Sequence, residues 1–104
     1  MKEIHQTIRS FIVSAVNTRK KLLKENSSFK NKMQMYQDIA FLETHLQANN
    51  YNSSQKMAGF FLRHRHRIEN ILPGKGSKSH LYFYDKFLEI KKLAAKCEVP
   101  AVAT

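Results

Sequence analysis

Apolar residues recur at helical steps through most of the chain, and the places where they stop divide it into segments. Within residues 2–25, Ile4, Ile8, Phe11, Ile12, Ala15, Val16, Leu22 and Leu23 fall mostly three or four positions apart, which predicts an amphipathic helix. Arg19, Lys20, Lys21 and Lys24 gather in its last turns, where cations suit the negative end of the helix dipole. "ENSS" ends the pattern, and Ser27 or Ser28 is placed to cap a second helix over residues 29–48. Its stripe reads Phe29, Met33, Tyr36, Ile39, Ala40 and Leu46, widened by Phe41 and Leu42. Two amphipathic helices with a short polar link predict an antiparallel helical hairpin over residues 1–50, offering packing or dimerisation surface.

"QANNYNSS" marks the clearest boundary, because Asn and Ser favour turns and caps. A third helix starts at about Ser53. It either runs unbroken to Leu72 or splits into two short helices near residues 62–64. "PGKGSKS" reads as a loop, since Pro73 follows a helix naturally and Gly74 and Gly76 are flexible. "HLYFY" is β-prone, as Leu, Tyr and Phe suit a pleated, half-buried surface. Asp85 then caps a last helix over residues 86–96, and residues 97–104 form a frayed tail.

Charge narrows the possible partners. The 104 residues carry 18 Lys and Arg against 8 Asp and Glu, a net charge of +10, which favours nucleic acid, an acidic protein or another anionic surface. Residues 53–84 hold six Lys or Arg and one acid, Glu69, so the segment is a local maximum of positive field. Apolar content of 42% is too high for a disordered chain. No apolar run approaches the ~20 residues of a membrane span, and no membrane partner is expected. The single cysteine, Cys97, allows no internal disulfide and points to a reducing, cytoplasmic setting.

Two architectures accommodate the C-terminal half. The first is a winged helix-turn-helix over residues 51–96, making the chain mainly α with a helical hairpin in front. Ala58 and Ile68 lie ten positions apart, the spacing at which a small residue accepts a crossing helix and an apolar residue packs down on it. Met57, Phe61 and Ile71 complete the inner face, and Leu62 takes the turn position. Residues 65–72 become the recognition helix, with Arg65, His66, Arg67 and Asn70 facing a groove and Arg63, just before it, as a further nucleic-acid contact. Arg forks onto guanine, Asn pairs with adenine, and the cations hold phosphate. Lys75 and Lys78 ride on the wing tip. With Tyr82, Tyr84, Asp85, Leu88 and Ile90 behind the basic loop, residues 53–95 resemble the winged helix-turn-helix of mercury-resistance-type regulators and phage excisionases. That resemblance implies DNA binding. The second architecture is an all-α four-helix bundle in which residues 53–72 and 81–96 are plain helices.

The expected function is that of a small basic protein binding double-stranded DNA, as a transcriptional regulator or a phage or plasmid accessory factor. It is expected to form a homodimer through its N-terminal helices. The rival is a helical-bundle interaction protein that sets a basic face on an acidic partner. A third reading is an RNA or single-strand binder, with Tyr82, Phe83 and Tyr84 as stacking platforms. No enzyme, small-molecule substrate, cofactor or metal is expected. The carboxylates are scattered, and "PGKGSKS" lacks the spacing of a phosphate-binding loop. His64 and His66, two positions apart, do not share a helix face.

Overall fold

In a computed structural model the described residues are 4–25, 30–48 and 51–103, with side chains described as far as Cys97. They form five helices: α1 (Ile4–Glu25), α2 (Lys32–Gln47), α3 (Ser54–Arg63), α4 (Arg65–Ile71) and α5 (His80–Ala103). The chain is mainly α, as expected. Ser27 and Ser28, the expected caps of the second helix, and Phe29 of its stripe lie outside the described residues.

The stripe read on α1 is its buried face. Ile8, Phe11, Ile12, Ala15, Val16 and Leu23 are all in the core. α3 starts where the sequence placed it, because the Ser53 hydroxyl accepts a hydrogen bond from the Lys56 N–H at 3.3 Å. α3 packs most extensively on α5 and then on α1, and α2 packs on α4. Met57, Ala58, Phe60, Phe61, Ile68 and Ile71 are fully buried at the centre.

Three readings need correction. The stripe of α2 is Met35, Ile39, Leu42 and Leu46, whereas Met33, Tyr36 and Ala40 face solvent. The helix is apolar on two sides, and the side that includes Asp38 is the one that packs. Next, residues 81–84 are helical, and no strand occurs among the described residues, so there is no wing. Phe83, Phe87, Ile90 and Ala94 step along one helical face into the core, and that packing overrides the β-propensity of "HLYFY". A strand would set Leu81 and Phe83 on the same side, yet Leu81 is 69% exposed and Phe83 4%. Finally, α5 begins at His80 rather than after Asp85. The Phe83 N–H bonds the Ser79 carbonyl at 3.1 Å, and His80 Nδ1 donates to the Pro73 carbonyl at 3.0 Å, tying the loop to the helix start. α5 continues over residues 97–103, where the sequence reading placed a frayed tail.

The junction of α3 and α4 also departs from a helix-turn-helix. One residue, His64 (φ −117°, ψ 25°), separates the helices, and no described residue has a positive φ. Leu62 is helical rather than a turn residue. Ala58 and Ile68 are both fully buried, so their inward orientation was read correctly even though the turn between them was not.

Candidate nucleic-acid interface

α2 runs antiparallel to the α3–α4 segment. Asn31 meets Asn70, Asp38 meets Arg67, Phe41 meets His64, and His45 meets Phe60. Between them lies a groove of about 570 Å³ lined by Gln34, Asp38, Arg63, His64, His66, Arg67 and Asn70. Every one of these side chains is polar or charged, which suits an ionic ligand rather than an apolar one.

Asp38 forms the floor. It is 2% exposed, and a carboxylate removed from water needs partners. It has three: Gln34 donates to Oδ1 at 3.0 Å, Arg67 to Oδ1 at 3.1 Å, and Asn70 to Oδ2 at 2.8 Å. Arg67 also stacks over the Phe41 ring, 4.1 Å from its centre. Two of the expected base-reading residues, Arg67 and Asn70, are therefore held by a carboxylate from the neighbouring helix. Arg65 is engaged too. Its guanidinium donates to the Leu62 carbonyl at 2.6 Å, taking an acceptor freed where α3 ends.

The remaining expected contacts are on the surface. Arg63 and His66 are exposed on the rim of the groove, with Lys30 exposed just before α2. Lys75 and Lys78 are exposed on the loop between α4 and α5. Lys75 borders a second groove of about 540 Å³, shared with Glu69, Leu72, Pro73, Gly74, His80 and Tyr84. Residues of α4 line both grooves, so α4 forms the ridge between them.

His64 sits on the inner wall. Its ring lies 4.7 Å from Phe41, 5.1 Å from Phe60 and 6.3 Å from His45. Burial first, then the charges of Arg63, Arg67 and His45, hold its pKa below the usual histidine value. Tyr82 and Tyr84 are exposed on α5, while Phe83 between them is core. Among the described residues no group of three or more His, Cys, Asp or Glu could hold a metal, and no helix is long and apolar enough to cross a membrane.

Sequence reasoning missed Asp38, Gln34 and the wall role of His64. One signal was available for the first: an acid set between Met35, Ile39 and Leu42 at helical spacing implies a buried charge with a partner. Comparison with known protein families, with characterised proteins and with solved structures finds no match in any of the three.

Proposed function

We propose that the protein is a non-enzymatic binder of double-stranded DNA that grips the phosphate backbone rather than reading base edges. The observation that carries this reading is how the cations divide. Arg65 and Arg67, together with Asn70, are bonded within the fold, while Arg63 at the end of α3 and Lys75 and Lys78 on the loop after α4 remain exposed, as does His66 on α4. Lys20 pairs with Glu43 and Arg67 with Asp38, and the chain carries a net charge of +10. Exposed, unneutralised cations suit phosphates spaced along a duplex.

A regulator that reads sequence with a recognition helix has less support, since two of its proposed base contacts face Asp38 and the wing is absent. A role as an architectural or accessory factor fits backbone binding better. Catalysis has little support, because both oxygens of the buried carboxylate Asp38 are occupied by hydrogen bonds.

The test is a comparison of variants on random-sequence duplex DNA. Replacing Arg63, Lys75 and Lys78 together by Ala is expected to weaken binding by roughly a hundredfold, with the helical circular dichroism unchanged. A variant that binds as wild type moves the site elsewhere. Tight binding to an acidic protein with none to DNA supports the rival interaction-protein reading instead.

A further inference from the structure

We infer that the outward face of α5 is a self-association surface, on which a second copy of this chain lays its own α5 antiparallel. The inward face of the helix is taken by Phe83, Phe87, Ile90 and Ala94. On the opposite side Leu81 is 69% exposed and Leu88 39%, and Ala95 is exposed as well. These three residues repeat every seven positions, so they form one stripe along the helix. The apolar face of α1, by contrast, is covered by the chain's own core.

Charge selects both the occupant and its direction. Asp85 flanks the first half of the stripe, and Lys91, Lys92 and Lys96 flank the second, with Glu89 beside its midpoint. A parallel partner sets Lys92 of one copy beside Lys91 of the other and gives Asp85 no cation. An antiparallel copy centred on Leu88 brings Leu81 against Ala95 and Leu88 against its own counterpart. It also sets Asp85 against Lys92, which lies on the same flank of the stripe, on both sides of the two-fold axis. This face therefore complements itself, in a molecule whose +10 charge otherwise drives copies apart. The stripe is short, so the dimer depends on concentration. None of this rests on the DNA-binding reading.

Sedimentation velocity of the full chain over a concentration series tests it. Wild type is expected to pass from monomer to dimer, and Leu88→Glu to stay monomeric with unchanged circular dichroism. Asp85→Lys is expected to weaken the dimer by roughly tenfold, and Asp85→Lys with Lys92→Glu to restore it. All these positions are exposed, so the fold tolerates the changes. Three results overturn the inference. They are a wild type that is monomeric throughout, a dimer that survives Leu88→Glu, and one broken instead by Met33→Glu on the exposed side of α2.

Discussion

Burying an arginine is costly unless its donors are satisfied, and Arg19 shows what the cost secures. The residue is 3% exposed, Nε donates to the Ile71 carbonyl at 2.9 Å, and a terminal nitrogen donates to the Leu72 carbonyl at 2.7 Å. Burial lowers its pKa, but a guanidinium stays charged in proteins, so α4 ends on a fixed cation. Arg9 plays a similar part for α2, donating to the Leu46 carbonyl and to that of Tyr51. Arg19→Met should cost about 3 kcal/mol in denaturant unfolding, because it strips partners from two buried carbonyls. Asp38→Ala should cost less, about 1–3 kcal/mol, since Arg67 is 40% exposed and water takes over part of its hydrogen bonding. The same change should tighten DNA binding by freeing Arg67 and removing a negative charge, which fluorescence anisotropy can read. His64 gives a pH dependence of known sign. Its folded pKa lies below its ordinary 6.5, so the unfolded chain binds the proton more readily. Its contribution is complete above about 6.5 and is lost as pH falls through that value toward the folded pKa. The melting temperature should therefore drop between about pH 7 and about pH 5, and His64→Phe should flatten that drop.

At the scale of elements, each helix was legible in proportion to how one-sided it is. α1 has a single apolar face, so its periodicity identifies its apolar core residues, though not Arg19, which is buried on the same face. α2 carries two overlapping stripes, and Ile39 and Leu46 belong to both. What decides between them is the Asp38–Arg67 pair, whose partners lie 29 positions apart, a distance that local spacing does not reveal. The start of α5 was misread for a related reason. The β-propensity of "HLYFY" is a local quantity, whereas its helical state is set by Phe83 meeting Phe11, with ring centres 6.1 Å apart. The break at His64 has no glycine or proline to announce it. It is anchored by a ring seated among Phe41, Phe60 and His45, all from other turns or other helices. Two substitutions check the orientation of α5. Phe83→Ala should cost about 3–5 kcal/mol, while Tyr82→Ala, exposed one residue away, should stay within about 0.5 kcal/mol. Equal effects at the two positions contradict the helical placement.

For the whole molecule, the question is what becomes of the excess positive charge. The candidate site was legible as a region and not as a set of contacts. "RHRHR" and the basic loop marked a local excess of positive charge, but sequence alone did not show that Arg65, Arg67 and Asn70 are engaged inside the fold. What remains exposed is Arg63, Lys75 and Lys78, the cations that the proposed backbone-binding function sets against phosphates without regard to base order. The most direct measurement is the affinity of the wild-type protein for a random-sequence duplex across a series of salt concentrations. A backbone-binding surface predicts that log K falls linearly with log salt, with a slope of about −3 or steeper, and that duplexes of unrelated sequence bind equally. An affinity that ignores salt, or no duplex binding even at low salt, contradicts it.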